Sequence, residues 1–377
     1  MRIGILTLPL HTNYGGILQA YALQTVLERM GHEVVVFDTP NKSYMPPFWK
    51  LPVSMTKRVL LKSLGKIDRI FIENHLNKTR PVIAQYIQLF IDNHIHRKVM
   101  RKFTELKSQD YDAIVVGSDQ VWRAIYFPMW GEKQDIQNAY LSFTEGWNIK
   151  RISYAASFGT DEWEYTDEQT LRCKALHHMF DAVSVRETNG VALCNKYFDI
   201  DSVHVLDPTL LLNEFDYSIF FQKANTPKSQ GTLLNYILDE TEKNKTIIID
   251  VANQKGLRSF SVNNPYENDE SKPLSDRIKP SVETWLRGFS DAKFVITDSF
   301  HACVFSILFK KQFAVIGNKV RGLSRIESLL ECLGIEDRIV EDSSQVMQLP
   351  QINYDLVYVK LEQFRKKSWK FLNEALG

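Results

Sequence analysis

The chain has 377 residues, which is too long for one hydrophobic core, so its length predicts two domains. Its 46 Lys and Arg are balanced by 45 Asp and Glu, and this balance argues against nucleic-acid binding through a broadly basic surface. The four cysteines are widely separated and form no C-x-x-C pair, so neither a zinc ribbon nor a disulfide framework is indicated. The sequence contains no run of about 18 apolar residues and no signal-peptide pattern, which predicts a cytoplasmic protein.

The first part of the chain alternates apolar strand-like runs with amphipathic helix-like runs, which is typical of a parallel α/β sheet. Residues 3–8 and 33–38 are predicted strands, and residues 17–30 form a predicted helix between them. The loop before this helix contains Gly15 and Gly16 but lacks the G-x-G-x-x-G spacing of a dinucleotide site, so no cofactor is expected. We expect the amides of these glycines to bind substrate instead.

Residues 41–106 interrupt this alternation and are predicted to be a helical insertion on the first domain. Basic side chains are interleaved there with Ile, Leu and Phe, for example at Lys57, Lys62 and Lys66. A solvated helix face explains such a pattern, and a surface that contacts anionic lipid or a lipid-linked substrate is the functional alternative.

Polar residues follow several later strands, at the edge where a parallel sheet binds its ligands. The predicted strand at 111–117 leads into Ser118, Asp119, Gln120 and Trp122. Asp119 and Gln120 could bind sugar hydroxyls while Trp122 offers a flat face to a sugar; the alternative is a polar turn with Trp122 in the core. Ser157 and Arg186 follow two further predicted strands in the same way.

A polar stretch at 222–231 predicts a linker to a second α/β unit, with strands at 232–238 and 246–251. A later apolar run ends at Asp298, Ser299, Phe300 and His301, directly before helix-like sequence. The first amides of such a helix can hold an anion and an imidazole can move a proton, so we expect chemistry at His301. The alternative is a histidine that only hydrogen-bonds within the packing.

The next predicted strand is followed by three cations and then by another predicted helix. The cations are Lys319, Arg321 and Arg325, and their clustering suggests that this loop binds an anion. The motifs G-x-S-x-G, G-x-x-x-x-G-K-[ST] and H-E-x-x-H are absent from the sequence, and no metal site is expected. The remaining candidates suit an anionic donor and acid–base catalysis.

Taken together, these segments resemble the polysaccharide pyruvyl transferase family. The likeness rests on Asn13, Tyr14, Gly15, Gly16 and Gln19 after the first strand, on Ser118, Asp119, Gln120 and Trp122, on Tyr154 and Ser157, on Arg186 and Glu187, on Asp207, Pro208 and Thr209, and on the stretch around His301. The resemblance implies an α/β fold of two Rossmann-like domains facing a cleft, similar to the GT-B glycosyltransferase fold. The expected domains span residues 1–221 and 222–355, and a C-terminal helix at 356–377 packs back on the first.

The activity that the resemblance implies is transfer of a pyruvyl group from phosphoenolpyruvate onto a saccharide as a ketal, during surface-polysaccharide assembly. By position, His301 matches the family's histidine and would be the acid, and Arg186 matches a donor-contacting arginine. Ser299 stands where the family has an arginine, so either Arg321 or Arg325 takes over that role or this branch uses another donor. Substrate contacts are expected from Asn13, Tyr14, Gly15, Gly16, Gln19, Ser118, Asp119, Gln120, Trp122, Ser157, Asp298, Ser299, Lys319, Arg321 and Arg325.

The implied partners are phosphoenolpyruvate and a saccharide, either free or lipid-linked, with no nucleic acid and at most peripheral contact with the inner membrane surface. A glycosyltransferase that uses a nucleotide sugar and a non-catalytic saccharide-binding protein are the alternatives. The sequence leaves the acceptor sugar, the linkage and the oligomeric state open.

Overall fold

The computed structural model describes residues 1–45, 48–67, 69–130, 135–318 and 322–377. These residues are organised by two β-sheets, one from each half of the chain. The strands of the first sheet are β1 (Arg2–Leu6), β2 (Glu33–Asp38), β3 (Arg97–Val99), β4 (Ala113–Val116), β5 (Lys150–Ala156), β6 (Ala182–Val185) and β7 (Val203–His204). Their order is β3-β2-β1-β4-β5-β6-β7, and all neighbours are parallel.

The central strands of this sheet are apolar on both faces, and for that reason helices cover both faces. All four residues of β4 are buried, as are all residues of β1 after Arg2. The helices of this half are α1 (Tyr14–Arg29), α2 (Leu51–Ser63), α3 (Ile72–Ile83), α4 (Gln85–His94), α5 (Asp167–His177), α6 (Thr188–Phe198) and α7 (Glu214–Lys223). The predicted insertion at 41–106 contains α2, α3, α4 and the short edge strand β3.

The second sheet is also parallel throughout. Its strands are β8 (Leu233–Tyr236), β9 (Ser259–Phe260), β10 (Phe294–Thr297), β11 (Gln312–Ile316) and β12 (Ile339–Val340), in the order β12-β11-β10-β8-β9. The helices of this half are α8 (Glu242–Lys255), α9 (Val282–Asp291), α10 (Phe300–Leu308), α11 (Leu323–Leu333), α12 (Ser343–Gln348) and α13 (Tyr354–Leu376). The two parallel sheets confirm the predicted α/β class.

The predicted strand at 246–251 is wrong, because these residues lie inside α8. The run of β-branched residues there is short, and strong helix signals surround it. The Thr241 side chain accepts a hydrogen bond from the Asn244 N–H at the start of the helix, and Gly256 ends it with a φ of +61°. These end signals outweigh the strand propensity of the apolar run.

Side chains from both halves share one hydrophobic core. Tyr14 of α1 stacks on Trp285 of α9 with ring centroids 5.7 Å apart, and its hydroxyl donates to the Pro280 carbonyl at 2.6 Å. The last helix, α13, reaches from the second half to the first. There the Arg365 Nε donates to the Leu210 carbonyl at 2.6 Å, and the Ser368 hydroxyl accepts from the backbone N–H of Leu206 at 3.0 Å.

His177, at the end of α5, is buried among aromatic rings of the first half. Its ring centroid lies 4.9 Å from that of Trp122 and 5.1 Å from that of Phe198. Neither ring nitrogen has a hydrogen-bond partner among the described residues. Burial therefore lowers the pKa of His177 from 6.5 to about 3.

The free energy of unfolding should consequently fall as the pH drops from about 6.5 towards 3, because the unfolded state binds a proton that the folded state excludes. At pH 5 the loss from this group should be roughly 2 kcal/mol relative to pH 8. His177→Leu is expected to flatten this slope, measured by denaturant titration at pH 5 and pH 8. His96→Gln, at a side chain 72% exposed, is the matched control. An unchanged slope in His177→Leu would contradict the assignment.

Candidate functional site

A cavity of about 220 Å³ opens between the carboxyl ends of the two sheets. Its walls come from the loops after β1, β4, β8 and β10, with Arg325 added from α11. In an open parallel sheet, ligands bind beyond the carboxyl ends of the strands at the point where the strand order reverses. In the first sheet this point lies between β1 and β4, and in the second it lies between β8 and β10. The cavity therefore lies at both reversal points at once.

Two helices, α1 and α10, begin at this cavity. Their N-cap residues are Asn13 and Ser299, which both line it. Among the described residues, neither side chain accepts a capping hydrogen bond from its own helix. The first N–H groups of a helix need partners from outside the helix and favour negative charge. Both helix starts are therefore suited to hold an anion in the cavity.

The two halves are in close contact at Gly15 and His301. A Cβ atom added to Gly15 would lie 2.1 Å from the His301 Nδ1 and 2.3 Å from its Cγ. Only a residue without a side chain allows the imidazole to occupy this position. The start of α1 therefore fixes the position of the His301 ring on α10.

The other side of the His301 ring faces Asp207, which follows β7 in the first half. The His301 Nε2 lies 3.7 Å from the Asp207 Oδ2, and it has no hydrogen-bond partner in the described part of the chain. The same carboxylate oxygen accepts hydrogen bonds from the Ser118 hydroxyl at 2.8 Å and from the Arg186 Nη1 at 2.7 Å. Burial raises the pKa of Asp207, but the imidazole and guanidinium lower it further, so that the net pKa lies well below its usual range. Asp207 is therefore an ionised carboxylate that orients the imidazole.

Two guanidinium groups, from Arg186 and Arg325, lie against the Phe300 ring. Their central carbons are 4.4 Å and 5.6 Å from the ring centroid. Burial and then the neighbouring charge of Arg186 lower the pKa of Arg325 to about 10, so Arg325 remains charged at neutral pH. Arg186 is enclosed behind the cavity wall, whereas Arg325 lines the cavity. The cavity wall thus contains a cation in addition to the His301 imidazole.

The loop after β4 supplies Asp119 and Gln120 to the cavity. Asp119 has a φ of +70°, in the left-handed region, which residues outside glycine adopt at a cost and most often near functional sites. Its Oδ1 accepts from the Gln120 N–H at 2.9 Å and lies 3.6 Å from the Arg186 Nη2. The Gln120 side chain crosses Gly159, where an added Cβ would lie 1.9 Å from the Gln120 Nε2. These contacts fix two polar side chains opposite α10.

Asp298 lines the cavity and also has a structural role. Its carboxylate accepts from the backbone N–H groups of Leu238 at 2.8 Å and Asp239 at 3.1 Å, and so it connects the loops after β8 and β10. Burial raises the pKa of Asp298, while these hydrogen bonds act in the opposite direction. The two amides offset part of the negative charge that Asp298 brings to the cavity.

Apart from Trp122, the predicted site residues divide into three groups. Those that line the cavity are Asn13, Gly16, Asp119, Gln120, Asp298, Ser299, His301 and Arg325. Those enclosed immediately behind its wall are Tyr14, Gly15, Gln19, Ser118, Ser157 and Arg186. Lys319 and Arg321 lie outside the described residues. The roles of all these residues in binding or catalysis stay predictions.

Trp122 requires a correction, because its side chain is fully buried. Its ring stacks on Tyr140 with centroids 5.2 Å apart, and its Nε1 donates to the Ala139 carbonyl at 3.2 Å. A buried ring of this kind offers no face to a sugar. The core interpretation of Trp122 is therefore the one that the structure favours.

Asp207, Phe300 and Glu187 were absent from the predicted site set, although each belongs to a segment that carried the family resemblance. Glu187 is fully buried, and its Oε1 accepts from the Phe158 N–H at 2.9 Å. Burial raises the pKa of Glu187, and the charges of Arg186 and then Arg325 oppose this rise. An acidic or aromatic residue within a motif was the available signal, but only the fold places Phe300 in the cavity wall and the buried Asp207 and Glu187 next to its charged groups.

Among the described residues, no group of three or more His, Cys, Asp or Glu side chains could hold a metal ion. In the same ranges, no helix combines the length and the apolar character needed to cross a membrane.

The fold and the cavity define a two-sheet α/β protein in which an imidazole, a buried carboxylate and a guanidinium meet at the facing sheet edges. A family model described as polysaccharide pyruvyl transferase matches residues 13–320. The chain belongs to this family of transferases, as its motifs indicated.

Several solved structures are similar over most of the chain. Arabidopsis thaliana UGT89C1 complexed with UDP-L-rhamnose has 10% identity and a TM-score of 0.49, over 99% of this chain and 97% of that chain. UDP-GlcNAc 2-epimerase from Neisseria meningitidis bound to UDP-GlcNAc has 9% identity and a TM-score of 0.49, over 100% of this chain and 99% of that chain. None of the curated proteins compared with the chain matches it.

Proposed function

We propose that the protein transfers the pyruvyl group of phosphoenolpyruvate to two hydroxyls of a saccharide, as a ketal, in surface-polysaccharide assembly. Membership of a transferase family supports the reaction class. The observation that carries the proposal is the position of His301. It lies in the first turn of α10, at a cavity that also holds Arg325, and its Nε2 is 3.7 Å from the Asp207 carboxylate.

In this reaction the His301 imidazole gives a proton to the methylene carbon of the donor, which becomes a methyl group, and the adjacent carbon becomes an oxocarbenium cation. One sugar hydroxyl attacks this cation and its proton returns to His301. The phosphate then leaves with the electron pair of its C–O bond, and the second hydroxyl attacks the new cation. The proton of the second hydroxyl ends on the phosphate, so one hydrogen phosphate is released for each ketal.

The donor carries a carboxylate and a phosphate, and the cavity offers them one guanidinium and the starts of two helices. Arg325 lines the cavity and remains charged, and the first N–H groups of α1 and α10 add partial positive charge. The family has an arginine at the position of Ser299, and we assign the role of that arginine to Arg325. Asp119 and Gln120, on the opposite wall, are assigned to the saccharide hydroxyls.

The proposal is tested by incubating the protein with phosphoenolpyruvate and a panel of saccharides while measuring phosphate release and the mass of the product. We expect acceptor-dependent phosphate release, and we expect phosphoenolpyruvate alone to raise the melting temperature. Arg325→Gln should reduce this rise by at least half. Arg287→Gln, which breaks a partly buried ion pair with Asp291 on α9, is the matched control and should retain it.

Two results would count against the proposed donor. One is the absence of both phosphate release and a thermal shift with phosphoenolpyruvate. The other is a rise in melting temperature with a uridine or guanosine nucleotide but not with phosphoenolpyruvate, which would favour a glycosyltransferase.

A further inference from the structure

The insertion presents an exposed apolar surface that no other described element covers. It comprises residues 48–67, which we call the insertion face, and it contains the whole of α2. None of the described residues of α2 is buried. Phe48 is 81% exposed and Trp49 is 63% exposed, and their rings pack edge to face with centroids 5.1 Å apart. Two large aromatic side chains held together in solvent are costly for a protein unless another surface covers them.

Apolar side chains of α2, and of Leu64 directly after it, are exposed along one side of the helix. Val53 is 75% exposed, and Leu60 and Leu64 are each 59% exposed. Residues separated by seven and eleven positions lie on the same side of an α-helix, so these three form one stripe. The opposite side of the helix is attached to the protein, because Arg58 makes a two-pronged ion pair with Glu73 of α3 at 2.8 Å and 2.6 Å.

The charge of the insertion face has one sign. Residues 48–67 contain five Lys or Arg and no Asp or Glu. Lys50, Lys57, Lys62 and Lys66 are all exposed, and Lys57 lies one turn from Val53 within the apolar stripe. The first acidic residue after this segment, Asp68, lies outside the described residues. A helix with an exposed apolar stripe, flanking aromatics and lysines is typical of segments that lie in the interface of an anionic bilayer.

We propose that the insertion face is a docking surface for a bilayer that contains anionic lipids. Phe48, Trp49 and the stripe on α2 would enter the headgroup region, while the lysines contact lipid phosphates. A second copy of the chain is the less suitable occupant, because a symmetric dimer through this face would bring two sets of four exposed lysines together.

Two neighbouring grooves lie between the insertion face and the reaction cavity. A groove of about 570 Å³ beside α2 and one of about 680 Å³ along α3 share Ile72. The second groove and the reaction cavity share Met129. An acceptor attached to a membrane lipid could therefore reach the cavity from this side. This last step rests on the proposed function, whereas docking to lipid does not depend on it.

The test is flotation of the full chain with vesicles of phosphatidylcholine alone and with vesicles that also contain about 30% phosphatidylglycerol. We expect binding to the anionic vesicles, weaker binding at high salt and little binding to phosphatidylcholine. The double variant Trp49→Ser/Leu60→Ser should bind at least tenfold more weakly. The control is Leu171→Ser/Ile249→Ser, which removes two side chains that are 71% and 59% exposed on α5 and α8 and should bind normally.

A second variant, Lys57→Glu/Lys62→Glu, tests the contribution of charge separately from that of apolar contact. It should also bind the anionic vesicles at least tenfold more weakly. Thermal melting checks that every variant is folded. Failure of the unmodified protein to bind anionic vesicles would overturn the proposal, and so would equal losses in the control. A dimer in sedimentation that Trp49→Ser/Leu60→Ser dissociates, without vesicle binding, would assign the face to a second copy instead. Phosphate release with a water-soluble acceptor is a separate readout, so failure of docking and failure of the proposed reaction can be told apart.

Discussion

His301→Asn should lower the turnover number for phosphate release from phosphoenolpyruvate by about 10²- to 10⁴-fold, the range typical of a lost general acid. Asparagine keeps a polar side chain of similar reach but cannot give a proton to carbon. The Asp207 carboxylate would keep the hydrogen bonds from Ser118 and Arg186, so the fold should persist. Phosphoenolpyruvate should still raise the melting temperature, because Arg325 and the two helix starts remain.

The matched control for this prediction is His96→Asn, at an exposed histidine paired with Glu28 on the surface of the first half. Its turnover should equal that of the unmodified protein. A His301→Asn variant that melts normally and releases phosphate at the original rate would remove His301 from the chemistry. It would leave Asp207 and Arg186 as structural partners of a packed histidine.

Gly15→Ala should reduce turnover by about 10²-fold, because small displacements of a catalytic group are that costly. The added methyl would lie 2.1 Å from the His301 Nδ1, so the imidazole or the start of α1 must move. Either movement changes the distance between His301 and Asp207, which belong to different halves of the chain. The turnover number should show this loss, whereas the melting temperature should change only slightly.

Gly317→Ala is the matched control, since its added methyl would meet the Leu323 Cδ2 at an ordinary 3.4 Å. A Gly15→Ala variant with full activity would show that the His301 position tolerates a shift of this size. Equal losses in both variants would point to general destabilisation, and the melting temperatures would reveal it.

The sequence predicted the fold class and the general place of the site because both depend on local signals. Apolar runs followed by polar residues identify strand ends, and strand ends of a parallel sheet lie on one edge. Asp119 and His301 were found in this way, Asn13 was named through the family resemblance, and the structure places all three at one cavity. The expectation that they share one site came from the family resemblance, which implied two domains facing a cleft.

The other features of the site depend on contacts between segments that are distant in the sequence. Local sequence patterns do not reveal such contacts. Asp207 was known from the sequence only as part of a family motif, and only the fold brings it to within 3.7 Å of His301. Trp122 follows a strand just as Asp119 does, but the packing of Tyr140 against it decides that it is a core residue. Asp298 is held by backbone amides of a loop about sixty residues earlier in the chain, so its hydrogen bonds were not predictable either.

The path of α13 has a consequence for how the two halves communicate. Its hydrogen bonds to Leu206 and Leu210 lie on both sides of Asp207 in the chain, while the helix itself belongs to the half that carries His301. If undocking of α13 shifts Asp207 relative to His301, a ligand that favours their present separation also favours the docked helix, and the coupling free energy is the same in both directions. We therefore expect the C-terminal helix to respond to occupancy of the cavity, although it does not line it.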